Sequence, residues 1–323
     1  MQTQSGRLPD FFIVGAAKSA TTSLYAYLRV HPALFMPFCK EPHFFSYVAH
    51  APYHLIPAIN LFQYVHLFDG ARPDQIIGEA STSYLYEYAR TIERMRAAYG
   101  ADIGKVKIII SLRNPADRAF SHYSMYHLYG LEPLGFDEAL GAGVFPRIHK
   151  NLDTERFGIL MDYVQAGMYY EQVKAYMDAF PNVYVVLYDD VRRDIFSTIR
   201  GFFRFLGVDD TVAIALNAPH YNATGTPLIG LFNTILNGFQ KALMTKRSRI
   251  KNTLMRIAGW FVDWDTVRVR LRDRIFNEIQ RLRFMNARKM PMPSASRRRL
   301  SDIYRLDILK LQKLINRDLS AWL

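Results

Sequence analysis

The residues between Gly15 and Ser23 have the composition of an anion-binding turn. An apolar run, Phe11–Val14, leads into this stretch of small and hydroxyl-bearing residues, in which Lys18 is the one charged side chain, and a helical pattern follows it. Backbone N–H groups in such a turn, together with the partial positive charge at a helix N-terminus, favour a bound phosphate. The side chains that add hydrogen-bond donors are those of Lys18, Ser19, Thr21 and Thr22.

The same stretch lacks one part of the loop found in nucleotide triphosphatases. When that pattern, G-x-x-x-x-G-K-[ST], is aligned on Gly15, Ala20 takes the place of the second glycine and Thr21 takes the place of the lysine. Thr22 occupies the hydroxyl position. Because the lysine that holds a triphosphate is missing, the loop predicts a phosphate site that does not bind Mg-ATP.

A second strand-like run that ends at a cationic side chain lies about ninety residues further along the chain. The apolar run Ile108–Leu112 ends at Arg113, and Pro115 favours the first turn of a helix. A guanidinium presents a planar fork to phosphate oxygens, although a motif of this kind is by itself more often a surface turn with solvated arginines.

With these segments in view, the chain resembles the sulfotransferases that use 3′-phosphoadenosine 5′-phosphosulfate (PAPS), particularly their carbohydrate branch. Further motifs that carry the resemblance are His31-Pro32 and the segment Lys40–Phe45, which reads KEPHFF. The resemblance implies that the first loop holds the 5′-phosphosulfate and that an Arg and a Ser eight residues apart hold the 3′-phosphate. A donor without a β,γ-phosphate pair agrees with the missing lysine and implies that no metal is needed. The residues so assigned to the donor are Lys18, Ser19, Ala20, Thr21, Thr22, Ser23, Arg113 and Ser121.

The resemblance also implies a general base. In the 3-O-sulfotransferases a glutamate stands two residues before the histidine of a His-Phe-Phe segment, and Glu41 has that position here. The apolar neighbours Pro42, Phe44 and Phe45 predict a desolvated carboxylate with a raised pKa. His43 is the second candidate, because the cytosolic small-molecule sulfotransferases use histidine.

Two lysines are candidates to stabilise the negative charge on the leaving phosphate. Lys18 is expected beside the phosphosulfate bridge, where it would stabilise the leaving phosphate. Ala80 departs from the family pattern, since the 3-O-sulfotransferases carry a lysine in that position. A second cation is therefore missing or is supplied by another residue such as Lys40.

Four strand-like runs and the helical patterns between them predict an α/β fold, a P-loop-like three-layer arrangement with a central parallel sheet flanked by helices. Both phosphate sites then follow the carboxyl ends of strands, where such sheets bind ligands. Helices are expected over residues 165–180 and 191–206. The four runs are Phe11–Val14, Gln75–Gly78, Lys107–Leu112 and Asn182–Tyr188.

Length and composition suit a single sulfotransferase domain over residues 1–323, with half of the residues hydrophobic. Within it we expect a basic helical segment at about 226–290 and a C-terminal helix at about 296–316. The 41 Lys and Arg against 29 Asp and Glu give a net charge of +12, which favours anionic partners. The basic cluster within 241–256 is consistent with a solvated helix face, a cleft for an anionic acceptor or a membrane contact.

Other features limit the class of protein. A single cysteine excludes an intramolecular disulfide, and neither a secretory segment nor a long apolar run is visible, so a cytoplasmic, bacterial protein is predicted.

The leading hypothesis is transfer of a sulfuryl group to a hydroxyl or amine of a carbohydrate-like acceptor. The alternatives are a P-loop kinase or NTPase, against which Thr21 argues, and a non-catalytic anion-binding protein. No nucleic-acid motif is recognisable.

Overall fold

Five parallel strands form the centre of the molecule and end at one edge of a sheet, which we call the carboxyl edge. The computed structural model describes residues 6–46, 60–128, 132–141, 162–212 and 291–323, and the backbone pairing of 226–227 with 287–288. The strand order is β2-β3-β1-β4-β5. The strands are β1 (Phe11–Gly15), β2 (Leu34–Phe35), β3 (Ile76–Ala80), β4 (Lys107–Leu112) and β5 (Asn182–Leu187).

Helices connect these strands and cover both faces of the sheet. In chain order they are α1 (Thr21–Leu28), α2 (Leu61–Val65), α3 (Ser83–Tyr86), α4 (Tyr88–Tyr99), α5 (Pro115–Leu128), α6 (Phe136–Gly141), α7 (Tyr169–Ala179), α8 (Tyr188–Arg193), α9 (Ile195–Leu206) and α10 (Ser294–Ile315). Thr226–Pro227 and Ala287–Arg288 form a separate antiparallel pair, β6 and β7.

The alternation of side chains along β1 divides the core into two layers. Phe11 and Ile13 belong to a cluster that includes residues of α1 and α9. Phe12 and Val14 point to the other side, where α3, α4, α5, α7 and α10 contribute to a larger cluster. Because both faces are covered, every residue of β1 is buried, as continuous apolar strands of parallel sheets require. The predicted three-layer α/β fold is thus confirmed.

The four predicted strands are all present, one of them with the predicted bounds and three with ends that shift by one or two residues. The sheet also contains β2, whose two residues are too short to give a strand pattern. The helix expected over 165–180 begins only at Tyr169, after a 3₁₀ turn, and the one expected over 191–206 is divided. Asp194 causes the division, because its carboxylate accepts a hydrogen bond from the backbone N–H of Ser197 and so begins a new helix.

The end of the chain folds back on the carboxyl edge. Asp307 of α10 accepts hydrogen bonds from the backbone N–H groups of Tyr169 and Tyr170, which caps the start of α7 from another helix. The Trp322 indole N–H donates to Asp189 of α8, two residues after the end of β5. The C-terminal helix α10 covers residues 294–315, whereas the sequence predicted about 296–316.

The basic helical segment predicted at about 226–290, including 241–256, lies outside the described residues except for the β6–β7 pair. Within the described ranges, none of the helices is long and apolar enough to cross a membrane.

Candidate active site

The loop after β1 takes a backbone path that L-residues rarely adopt. Lys18 has φ of 70° and Ala20 has φ of 65°, both in the left-handed region. Such conformations cost about 1–3 kcal/mol each and persist where the surrounding structure holds them, often at functional sites. Gly15 is needed for packing, since a Cβ there would lie 2.7 Å from the Cβ of Leu85.

The loop leads directly into α1, so that Thr21, Thr22 and Ser23 form the first turn of this helix. Ala20 precedes the helix and offers no side-chain cap. The first N–H groups of a helix lack partners within the helix, and an anion can satisfy them. This geometry agrees with the anion-binding turn predicted for residues 15–23.

Lys18 and Arg113 meet at the carboxyl edge. Arg113 donates a hydrogen bond from Nη1 to the backbone carbonyl of Lys18 over 3.2 Å. Burial, with a further contribution from the Arg113 charge, lowers the pKa of Lys18 to about 8. The Nζ atom of Lys18 lies 3.5 Å from the sulfur of Met125 on α5. A site that concentrates two cations in this way is suited to an anionic ligand.

Arg113 is held in place by contacts on two sides. Its guanidinium lies over the ring of Tyr188, 4.7 Å from the centroid, and this places the first residue of α8 at the site. Two buried polar atoms here, Arg113 Nε and Ser19 Oγ, have no hydrogen-bond partner among the described residues. Buried donors of this kind are rare in folded proteins and mark positions that a ligand can complete. Ser121 is buried on α5, which begins two residues after Arg113.

The KEPHFF segment after β2 is held by the carboxyl end of β3 and the residues that follow. The backbone N–H of Glu41 donates to the Ala80 carbonyl over 2.9 Å, and that of His43 donates to Ser81 Oγ over 3.0 Å. The N–H of Phe45 donates to the Tyr84 hydroxyl over 3.2 Å. Every second N–H is thus bound, which holds Glu41 and His43 at φ of 63° and 54°.

The carboxylate of Glu41 has polar neighbours. It forms an ion pair with Lys40, lies 3.6 Å from Nε2 of His43, and accepts a 3.4 Å hydrogen bond from Thr82. Phe44 stacks on Tyr64, and Phe45 packs edge-on against Phe12. The apolar contacts expected around Glu41 are therefore made by Phe44 and Phe45, whereas the carboxylate of Glu41 itself has polar neighbours.

The buried carboxylate of Glu79 stabilises the KEPHFF segment through the hydroxyl of Tyr84. Tyr64 and Tyr84 donate hydrogen bonds to its Oε2 over 2.6 and 2.8 Å, and burial raises the pKa of Glu79 to about 7. Tyr84 is also the acceptor for Phe45, so Glu79 connects to the KEPHFF segment through one hydroxyl. The neighbouring Ala80 is buried and supplies no cation, whereas Lys40 brings one to Glu41.

One face of α5 carries residues to which the sequence motifs assigned no role. Arg118 is fully buried and donates to the Tyr163 carbonyl and to Nδ1 of His122. Burial, with a contribution from Arg118, holds the pKa of His122 well below its usual range, and the charges of Lys18 and Glu41 also act on it. The helical spacing of 118, 122 and 125 after Pro115 is the signal that could have identified this face.

The predicted residues thus form two groups at one edge. Lys18 contacts Arg113, and Glu41 lies beside His43. The negative charge of Glu41 partly opposes the lowering of the Lys18 pKa, so the two groups lie within electrostatic reach of each other. An anion held by the first group would lie near a carboxylate in the second, which is an arrangement suited to group transfer with a base.

A model of the sulfotransferase domain matches residues 8–222, and the chain belongs to this family. The matched family is that of the sulfotransferases, which are transferases of sulfuryl groups. The matched range contains all of the site residues described above.

Curated relatives cover part of the chain. The bovine bifunctional heparan sulfate N-deacetylase/N-sulfotransferase 2 is 30% identical over 137 residues, which are 38% of this chain and 14% of that protein. The human N-deacetylase/N-sulfotransferase 3 is 26% identical over 67% of this chain and 23% of its own length. Mouse carbohydrate sulfotransferase 15 is 28% identical over 36% of this chain and 27% of its own length. The chain therefore spans well under two thirds of these relatives.

A solved structure covers nearly all of the chain. The crystal structure of a sulfotransferase from Alicyclobacillus acidocaldarius aligns with a TM-score of 0.65 and 29% identity, covering 98% of this chain and 99% of that one.

Proposed function

We propose that this protein transfers a sulfuryl group from PAPS to a hydroxyl or amine of a carbohydrate-like acceptor. The observation that carries the proposal is the pair of buried polar atoms, Ser19 Oγ and Arg113 Nε, that have no hydrogen-bond partner among the described residues and lie beside two cations at the carboxyl edge. These donors fit a ligand with two separate phosphate-type groups. Residues 18–23 would hold the 5′-phosphosulfate, and Arg113 with Ser121 would hold the 3′-phosphate.

The chemistry requires the protein to provide a cation and a base. PAPS, when bound, supplies the sulfuryl group and leaves as 3′,5′-ADP. Lys18 would stabilise negative charge on the leaving phosphate, and a pKa of about 8 keeps it protonated at neutral pH. Glu41 would take the proton of the acceptor, while Lys40, His43 and Thr82 orient its carboxylate.

Two kinds of support favour a carbohydrate acceptor. Relatives that share part of the chain are named for heparan sulfate N-sulfation and for carbohydrate sulfation. The net charge of +12 favours an acceptor that is itself anionic. No metal is required for this reaction, so transfer should persist in excess EDTA, whereas a kinase or NTPase would lose activity.

The direct test is transfer of labelled sulfate from PAPS to a panel of carbohydrate acceptors. Glu41→Gln keeps the shape of the side chain and removes its basicity, so turnover should fall roughly 10²- to 10⁴-fold while 3′,5′-ADP affinity stays the same. Glu93→Gln, on an exposed part of α4, is the matched control and should be silent.

His43→Asn is the companion variant in this test. If the imidazole only packs and forms hydrogen bonds, its loss should lower the free energy of unfolding more than the rate of transfer. If His43→Asn abolishes transfer in a folded protein while Glu41→Gln stays active, His43 is the base and the assignment of Glu41 is wrong.

A further inference from the structure

His122 lies on the face of α5 that adjoins the proposed donor site. It follows Ser121 directly and stands one helical turn before Met125, whose sulfur lies 3.5 Å from Nζ of Lys18. Residues three apart in a helix share a face, so His122 and Met125 project toward the same side. The charges of Lys18 and Glu41 are close enough to act on the imidazole.

The contact with Arg118 determines which ring nitrogen of His122 carries the proton. Arg118 is a donor only, and its Nη1 lies 3.1 Å from Nδ1 of His122, so Nδ1 accepts. The proton of the neutral ring then resides on Nε2. Among the residues that the structure describes, this Nε2 has no hydrogen-bond partner.

The ring is also kept neutral. Burial and the Arg118 charge both disfavour the imidazolium, which holds the pKa of His122 well below its usual range. His122 therefore differs from Glu41 and from Lys18, because it neither takes up a proton nor adds a charge near neutral pH. It provides one fixed N–H donor.

We propose that the Nε2–H of His122 donates a hydrogen bond to an oxygen of the sulfuryl group during transfer. The inference rests on the proposed function and adds a catalytic residue to it. In the transfer, the bond from sulfur to the phosphate oxygen breaks and its electron pair stays on that oxygen. The bond from sulfur to the acceptor forms, and the acceptor proton goes to Glu41. His122 keeps its own proton throughout and stabilises charge on the sulfuryl oxygens.

Two variants of similar size separate this role from a structural one. His122→Asn keeps an acceptor near the position of Nδ1 for Arg118 but lacks the Nε2 donor. His122→Gln places an amide N–H near the position of Nε2. Calorimetry without acceptor should show that His122→Asn weakens PAPS binding about tenfold or more, while 3′,5′-ADP binding changes less than about twofold. The turnover number of this variant should fall about 10- to 100-fold, and His122→Gln should recover most of both losses.

The outcomes distinguish the inference from the function on which it rests. If the wild-type protein binds both nucleotides and transfers sulfate, but His122→Asn weakens both ligands equally or leaves PAPS binding intact, His122 has only a structural role. If the wild-type protein binds neither nucleotide, the proposed function fails, and the inference fails with it.

A measurement on the wild-type protein covers the case in which the variants do not fold. With ¹⁵N-labelled histidine, NMR should show Nδ1 unprotonated in His122, and its Nε2–H signal should move on addition of PAPS but much less on addition of 3′,5′-ADP. A protonated Nδ1, or equal shifts with both nucleotides, would overturn the proposal.

Discussion

At the scale of the residue, Arg113 is the group whose surroundings point most directly to a ligand. Its Nη1 is bound to the Lys18 carbonyl, its plane lies over Tyr188, and its Nε is left without a partner in the described part of the chain. A guanidinium held on two sides loses little further freedom when it binds a phosphate. This is the environment expected of a preorganised phosphate ligand.

We predict that Arg113→Ala weakens 3′,5′-ADP binding about ten- to a hundredfold, because one charged hydrogen-bonded contact contributes roughly 1.5–3 kcal/mol. Binding of 5′-AMP, which lacks the 3′-phosphate, should change little. Arg204→Ala, which removes an exposed ion pair with Asp210, is the control and should leave both affinities unchanged. Equal weakening of the two nucleotides in calorimetry would remove Arg113 from the 3′-phosphate site.

Lys18 should set the alkaline limit of activity. A lysine is charged below its pKa, and burial with the nearby Arg113 lowers the pKa of Lys18 to about 8 in the free protein. The value of kcat/KM should therefore fall as the pH rises through about 8. Arginine stays charged to much higher pH, so Lys18→Arg should lose this alkaline limb even where its activity at pH 7 is reduced.

The control for Lys18 is Lys40→Arg, which should keep the limb near pH 8. A pH profile of kcat/KM for the three proteins checks the prediction. Persistence of the same limb in an active Lys18→Arg variant would show that another group is responsible.

At the scale of the element, β3 and the residues after it act as a template for the KEPHFF segment. Ala80, Ser81 and Tyr84 accept the alternate N–H groups of that segment, and Glu79 orients Tyr84 from the buried side. The segment after β2 has little regular structure of its own, so its shape depends on these contacts. A base on such a segment is positioned by its neighbour strand.

Glu79 should make the free energy of unfolding depend on pH. Burial raises its pKa from 4.5 to about 7, so between these values the folded protein holds a proton that the unfolded chain has released. The contribution of Glu79 to the free energy of unfolding is therefore largest below about pH 4.5. It decreases by up to about 3 kcal/mol as the pH rises to about 7.

Glu79→Gln should remove this slope, because an amide does not titrate and can still accept from Tyr64 and Tyr84. Denaturant unfolding at several pH values between 5 and 8, for the wild type and this variant, measures the difference. Parallel pH dependences would mean that Glu79 does not hold the extra proton.

At the scale of the whole molecule, α10 joins the end of the chain to the sheet. Its Asp307 caps α7, and its apolar face, including Leu300 and Tyr304, belongs to the larger core cluster. Tyr169, at the capped end of α7, donates a hydrogen bond to the Arg113 carbonyl. Two hydrogen bonds that Tyr169 donates, one to Asp307 and one to the Arg113 carbonyl, therefore connect the cap to the proposed 3′-phosphate site.

Asp307→Ala should lower the free energy of unfolding by about 1–2 kcal/mol, which is the usual effect of losing a helix cap. Asp302→Ala, at an exposed position of the same helix, is the matched control and should have little effect. Affinity for 3′,5′-ADP should change less than about twofold in both variants. A stability of Asp307→Ala equal to that of Asp302→Ala, in denaturant unfolding, would contradict the capping role.

The sequence by itself determined the features that depend on local pattern. Continuous apolar runs such as Phe11–Val14 indicated buried parallel strands, and the small residues after Gly15 indicated an anion-binding turn, because both signals reside in consecutive residues. The same reasoning led to the family, which the match over residues 8–222 confirms. The assignment of roles to Glu41, Lys18, Arg113 and Ser121 stays a prediction.

Only the tertiary structure decided which side chains surround these residues. The polar contacts of Glu41, the hydroxyl acceptors for residues 43 and 45, and the cap from Asp307 all join segments that are distant in the chain. The tautomer of His122 depends on whether Arg118 is buried against it. Such contacts follow from how strands and helices pack, and a single sequence contains no local signal for them.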